Sequence, residues 1–267
     1  MLRDITLGQY YQTESVIHRL DPRVKLAGTL LYIISLFFFK NFLAYIVAGL
    51  FLAVVIRLSR VPFGFMVRGM KAIVFLLLIT VVFNLFLTPG TPVVTLWKLT
   101  VTLEGIKTAV TMAIRLVMLI LGSSVMTLTT TPNNLTDGME KGMAPLKVFH
   151  VPVHEVAMMM AIALRFIPIL LEETDKIMKA QIARGADFES GNLIKRARAL
   201  VPLLVPLFIS AFRRANDLAM AMEARCYRGG EGRTKMKPLI YQKRDRIAYG
   251  FILLYLVVSI GIGQIRF

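Results

Sequence analysis

Five apolar runs set what this chain can fold into: 26–39, 42–56, 72–87, 109–128 and 247–265. The third holds only Thr80 and Asn84 among its polar residues. Runs of this kind match the roughly 20 residues that carry an α-helix across about 30 Å of hydrocarbon, with the first reaching that length only when its flanks are included. Between them the chain is strongly basic, for a formal net charge of +16 against a mean hydropathy of +0.66. A nucleic-acid-binding protein would share the charge but not the apolar runs. The expected fold is therefore an all-α integral membrane protein with about five transmembrane helices and no nucleic-acid partner.

Charge distribution orders the segments. Arg3, Arg19, Arg23 and Lys25 precede the first run, and Arg57, Arg60, Arg68 and Lys71 lie between the second and third. The opposite loops carry Lys40, then Lys98 and Lys107. Positively charged loops stay in the cytoplasm, which predicts a cytoplasmic N-terminus and a multi-pass protein of the cell membrane. Pro89-Gly90 and Pro92 turn the chain after the third run, and Trp97 beside Lys98 predicts an interfacial connection. The first twenty residues lack the apolar core of a signal peptide, so the first run is expected to target the chain.

The expected layout is 1–130 for the N-terminal segment and four transmembrane helices, 131–237 for a cytoplasmic helical region, and 238–267 for the last transmembrane helix. Residues 151–171 are apolar but contain His154, Glu155 and Arg165 and meet Pro168. Charges near a helix centre cost roughly 2.5–3.5 kcal/mol each on insertion. The segment is therefore expected at the membrane surface or packed on its neighbours, and 201–212, with Pro202 and Pro206, is expected to be too short to cross. Glu172 with Lys176 and Asp175 with Lys179 stand at favourable i,i+4 spacing for a continuous helix.

Within the basic region one short signal occurs twice, as Ala183-Arg184-Gly185 and Ala224-Arg225-Cys226, each closing an amphipathic stretch. Glycine at a helix end accepts positive φ, and an arginine there is favoured by the helix dipole. Alone, such an arginine reads as a solvated cap. Two copies in similar contexts point to rigid, charged forks offered to another protein.

At this point the chain resembles a known family, the transmembrane coupling subunit (T component) of energy-coupling factor transporters. The resemblance rests on Gly8-Gln9-Tyr10, Ser15, Ile17-His18-Arg19-Leu20-Asp21-Pro22-Arg23, Lys25, Leu164-Arg165-Phe166-Ile167-Pro168 and the two Ala-Arg motifs, and it covers nearly the whole chain. It implies a vitamin or metal importer driven by two ATP-binding cassette ATPase subunits, with a separate membrane substrate-binding (S) subunit. It also implies that coupling helices ending in Ala183, Arg184, Gly185, Ala224 and Arg225 dock on the ATPases. Cys226 departs from the family's glycine, and Gly229-Gly230 follow as candidates for the turn.

Two other classes compete. A membrane-embedded enzyme needs convergent acids or a nucleophile, whereas Glu172 and Asp175 have lysine partners in the sequence. A secondary transporter needs ionisable residues deep in several runs, whereas Arg115 is the main instance, with Asn84 as a candidate partner or a neighbouring carbonyl in its place. No Gly-x-x-x-x-Gly-Lys-Ser/Thr loop occurs, so the chain itself is expected to be no ATPase and no enzyme. His18, His150, His154 and the single Cys226 do not make a metal set, and no cofactor is expected. Met143, Met158, Met159, Met160, Met178, Met220 and Met222 read first as core filling and second as an adaptable surface for exchangeable partners.

Overall fold

In the computed structural model, which describes residues 10–39, 41–96, 99–188, 192–229 and 238–264, each of the five apolar runs lies in a helix. The sequence features at Arg3, Gly8, Gln9, Lys40, Trp97, Lys98, Gly230, Lys237 and Ile265 fall outside those residues. The helices are α1 (Pro22–Phe38), α2 (Phe42–Ser59), α3 (Phe63–Leu87), α4 (Leu103–Thr129), α5 (Pro132–Gly142), α6 (Val153–Ala183), α7 (Leu193–Ala224) and α8 (Lys243–Gln264). A two-stranded antiparallel hairpin, β1 (Pro92–Leu96) with β2 (Leu99–Thr102), joins α3 to α4 and is the sole sheet among the described residues. The chain forms two compact units. One runs up to Lys141 and includes Leu239–Phe267, so α5 belongs with α1 to α4 and α8; the other is Gly142–Pro238, holding α6 and α7.

Five helices are long and apolar enough to cross a membrane: α2, α4, α6, Arg198–Ala224 of α7, and α8. Residues 151–171, expected at the membrane surface or packed on neighbours, and 201–212, expected to be too short to cross, lie within α6 and α7, both long and apolar enough to cross by length and composition. Pro168 does not break α6, which continues for 31 residues, and α7 passes Pro202 and Pro206 for 32. Each internal proline forfeits one backbone hydrogen bond, a local cost that long flanking helix on both sides absorbs.

In the first unit, α1, α2, α4 and α8 surround a core built from Tyr32, Leu36, Tyr45, Ala48, Leu121, Val125 and Tyr255. Small residues allow the close approach. Gly122 lies against the Tyr32 ring, where a Cβ would sit 2.9 Å from the ring edge. Hydroxyls inside this core are paired, as burial demands: Ser35 Oγ and the Tyr255 hydroxyl are 2.7 Å apart, and Ser35 also donates to the Tyr32 carbonyl at 2.7 Å. The Phe51 and Tyr255 rings stack at 4.4 Å. Outward the unit is apolar, with Phe38, Phe75, Leu50 and Val257 all more than two-thirds exposed, as a lipid-facing surface requires.

A knot of polar residues ties the N-terminal segment to three helix ends. Asp21 caps α1 by accepting from the Arg23 backbone N–H at 2.9 Å, and Arg23 returns its guanidinium to both carboxylate oxygens at 3.0 and 2.8 Å. Burial alone would raise the Asp21 pKa, but the hydrogen bonds and charge of Arg23 outweigh it and hold the carboxyl below its ordinary range. Arg23 also donates to the Leu239 carbonyl and lies over the Tyr241 ring at 3.8 Å. The buried Asp245 near the start of α8 accepts from the backbone N–H groups of Asp21 and Gln242. Lys25 donates to the carbonyls of His18 and Thr129, at 3.1 and 2.8 Å, which joins the start of α1 to the end of α4.

His18 locks the segment before α1. Its Nε2 donates to the Tyr11 carbonyl at 3.0 Å while Nδ1 accepts from Ser15 Oγ at 2.7 Å, the pattern of a neutral ring. The Tyr11 backbone N–H in turn reaches the Leu128 carbonyl at 2.9 Å. Burial lowers the His18 pKa below 6.5, aided by the Lys25 ammonium and opposed by the carbonyls of Tyr11 and Leu128. A lowered folded-state pKa means stability that is fully present above the unfolded value and is lost as pH falls through the folded one. Thermal unfolding in detergent should therefore show a midpoint that drops between pH 7 and 5, and His18→Gln should flatten that dependence. A second measurement tests the core: Gly122→Val forces a side chain into the Tyr32 ring and should destabilise the protein by about 1–3 kcal/mol, read from the same midpoint.

Candidate functional site

Helix ends leave their last carbonyls without intrahelical donors, and the ends of α6 and α7 solve this in the same way. At α6, the Gly185 N–H donates to the Ile182 carbonyl at 2.9 Å and the Ala186 N–H to the Gln181 carbonyl at 3.0 Å. At α7, the Cys226 N–H donates to the Glu223 carbonyl at 2.8 Å and the Tyr227 N–H to the Met222 carbonyl at 3.0 Å. Both are Schellman closures, which require a left-handed residue just past the cap. Gly185 supplies it with φ +88°, and Cys226 with φ +56°. The turn therefore falls on Cys226 itself, ahead of Gly229-Gly230, and holding a residue with a Cβ there costs on the order of 1–2 kcal/mol.

These closures leave Arg184 and Arg225 in matched positions, each the cap residue between the last helical alanine and the left-handed turn. The backbone of each turn is satisfied internally, so the side chains are not needed to finish the helices. Ala183, Arg184, Gly185, Ala224 and Arg225 are all exposed. Each guanidinium is thus a charged fork on a rigid end.

How α6 and α7 pack decides where the two ends point. Glu173 of α6 accepts from Arg214 Nη2 of α7 at 2.8 Å, and Gln181 donates to the Pro202 carbonyl at 3.4 Å. Moving forward along α6 moves backward along α7, so the helices run antiparallel. Arg184 stands eleven residues after Glu173, and Arg225 stands eleven residues after Arg214. At 1.5 Å per residue each lies about 16 Å from the ion pair, in opposite directions, which separates the two forks by on the order of 30 Å. The two ends thus stand at equal distances along their helices on either side of the Glu173–Arg214 pair. In the sequence the same shift aligns Ile177 with Leu218, Ala180 with Ala221 and Ala183 with Ala224.

On one side of this crossing the helices enclose a groove of about 300 Å³, lined mainly by Ile162, Phe166, Leu170, Ala215, Leu218 and Ala219. Phe166 belongs to the Leu164–Pro168 stretch singled out in the sequence, and it serves this groove. The i,i+4 pairs expected within α6 do not close among the described residues; Glu173 instead pairs with Arg214 of α7. Sequence reading missed Glu173. The signal that could have found it is the equal spacing from Glu173 and Arg214 to the two Ala-Arg ends.

Arg115, halfway along α4, does not meet Asn84. Asn84 donates to the Thr80 carbonyl of its own helix, and Arg115 reaches across to the Tyr45 hydroxyl on α2 through Nε at 3.0 Å and Nη2 at 2.7 Å. Among the described residues, no three His, Cys, Asp or Glu side chains converge in a way that would hold a metal ion.

Comparison with known proteins agrees with this architecture. The family pattern described as CbiQ, cobalt transport protein, matches residues 13–236. The chain is 56% identical over 262 residues to the energy-coupling factor transporter transmembrane protein EcfT of Clostridium kluyveri, covering 97% of each chain. It is 50% identical over 256 residues to EcfT of Ruminiclostridium cellulolyticum, covering 96% of each. It is 48% identical over 246 residues to EcfT of Bacillus subtilis, covering 92% of this chain and 93% of that one. With its full-length match to these relatives and its apolar helices, the chain belongs to the family of energy-coupling factor transporter transmembrane proteins.

Proposed function

We propose that this protein is the coupling subunit of an ATP-driven importer of a vitamin or metal, transmitting motion from two ATP-binding cassette ATPase subunits to a separate membrane subunit that binds the substrate. In this reading the N-terminus and the segment 131–237 face the cytoplasm, and Arg184 and Arg225 dock one ATPase each. The observation that carries it is the equal spacing of those arginines from the Glu173–Arg214 pair, at opposite ends of the antiparallel α6/α7 pair. A dimer of related ATPases presents two equivalent surfaces, and an equally spaced pair of charged caps is what such surfaces would engage. The Glu173–Arg214 ion pair at the centre is partly exposed and contributes only about 0.2–1 kcal/mol, so its role is to set register between the helices more than to stabilise them.

Replacing Arg184 or Arg225 by alanine should cost about 2–5 kcal/mol of docking if the partner's acceptor is buried on binding. The double variant should insert and fold yet fail to retain the ATPases on copurification, or hydrolyse ATP without uptake. Lysine should rescue only in part, because an ammonium cannot reproduce the planar fork. Cys226→Gly, which removes the left-handed strain, should assemble normally. Normal uptake by the double alanine variant would refute the docking role.

Cys226 offers an independent check, because it is the single cysteine and is exposed beside Arg225. A membrane-impermeant maleimide should label it in inverted vesicles and not in intact cells, and bound ATPase subunits should slow the labelling. Labelling from outside intact cells would place this end on the wrong side.

A further inference from the structure

We propose that the Arg115 guanidinium, braced by the Tyr45 hydroxyl, holds the phosphate of a membrane phospholipid at the tip of the α1–α2 hairpin. Arg115 spends Nε and Nη2 on the Tyr45 hydroxyl, at 3.0 and 2.7 Å, and its Nη1 lies 3.9 Å from Met112 Sδ. The Phe37 ring centroid is 5.8 Å from its central carbon. Hydroxyl, thioether and ring carry no charge, so this permanently charged group has no counter-ion among its described contacts. An ionisable group inside a span is by default a functional one, with a partner to be named.

Depth identifies the partner. The Lys25 ammonium on the Thr129 carbonyl puts the start of α1 level with the end of α4. Phe37 lies twelve residues along α1 from Lys25, and Arg115 lies fourteen residues back along α4 from Thr129. At 1.5 Å per residue these are about 18 and 21 Å, which agrees with the contact between the two side chains. There α1 ends, whereas α4 continues another twelve residues to Leu103, about 18 Å further. With 17 residues, α1 reaches about 26 Å and so ends a few ångströms short of the roughly 30 Å hydrocarbon layer. A bilayer meets such a short apolar stretch by thinning toward it, which brings the headgroup layer down to the level of Arg115.

The surface around the tip is a lipid-facing one. Phe37 is 62% exposed, Phe38 75% and Phe42 61%. Among the described residues no acid accompanies them, and the guanidinium edge turned from Tyr45 matches the geometry of two phosphate oxygens. A carboxylate on a partner protein would satisfy the charge but would leave the shortness of the hairpin unanswered.

The test uses purified full-length protein, stripped of lipid in detergent, with thermal unfolding read as phosphatidylglycerol, diacylglycerol or inorganic phosphate is added. Phosphatidylglycerol should raise the midpoint of the unaltered protein, the other two should not, and Arg115→Gln should lose most of the rise. An equal rise in Arg115→Gln overturns the proposal, as does an equal rise with diacylglycerol or with inorganic phosphate alone. If Arg115→Gln does not fold, a depth measurement decides with Arg115 intact. A bimane placed by Phe38→Cys in a Cys226→Ser background, in phosphatidylglycerol vesicles, should be quenched more by headgroup nitroxide lipids than by mid-chain ones. The reverse order places the tip deep in hydrocarbon and overturns the proposal.

Discussion

A hydrocarbon layer offers no hydrogen bonds to a peptide backbone, and the closing of helix ends is the constraint on which this structure depends. At the start of α1 the Asp21 carboxylate caps the helix, and its charge is held by Arg23. Where α4 ends, the Thr129 carbonyl receives the Lys25 ammonium. The buried Asp245 receives the backbone N–H groups of Asp21 and Gln242, which fastens the first helix to the last across more than two hundred residues. The Ile17–Arg23 stretch is thus a fastener for the membrane unit, with His18, Asp21 and Arg23 engaged in that task while Arg19 pairs with Glu14 at the surface.

The ends of α6 and α7 are closed differently. There the backbone satisfies itself through the Schellman turns, at the cost of a left-handed Cys226 in one copy. Side chains that would otherwise cap the helices are released, which leaves Arg184 and Arg225 free to serve another molecule. Little of either helix is buried in the protein: 11% of the apolar window of α6 and 6% of that of α7. Exposed apolar surface of that extent calls for lipid, for partners, or for both. The family to which the chain belongs is named for the transmembrane protein of a transporter, in keeping with apolar surface that meets lipid.

Much of the architecture was legible because hydrophobic periodicity and length report directly on helices. All five apolar runs lie in helices, and α2, α4 and α8 are each long and apolar enough to cross a membrane. Where the reading failed, it failed through local rules overridden by tertiary context. Pro168 stood against a continuous helix at 151–171, and 201–212 with Pro202 and Pro206 was read as short, yet each proline forfeits only one hydrogen bond within a helix of more than thirty residues. Glu172–Lys176 and Asp175–Lys179 fit a helix surface on spacing alone, yet the ion pair that forms links Glu173 to Arg214 on a different helix.

Residue type and short-range spacing were enough to read the membrane class, the helical composition and the paired Ala-Arg ends. The sequence also pointed to Arg115, since a charge in an apolar run is conspicuous. Packing was needed to show that α6 and α7 run antiparallel, that the Glu173–Arg214 pair lies midway between Arg184 and Arg225, and that Arg115 meets Tyr45 instead of Asn84. Those facts depend on which helix faces share an interface and in which direction. A one-dimensional pattern records the face of each helix, but the choice of neighbour follows from packing: small residues such as Gly122 permit close approach to one ring, and a single long-range ion pair sets the register of a crossing.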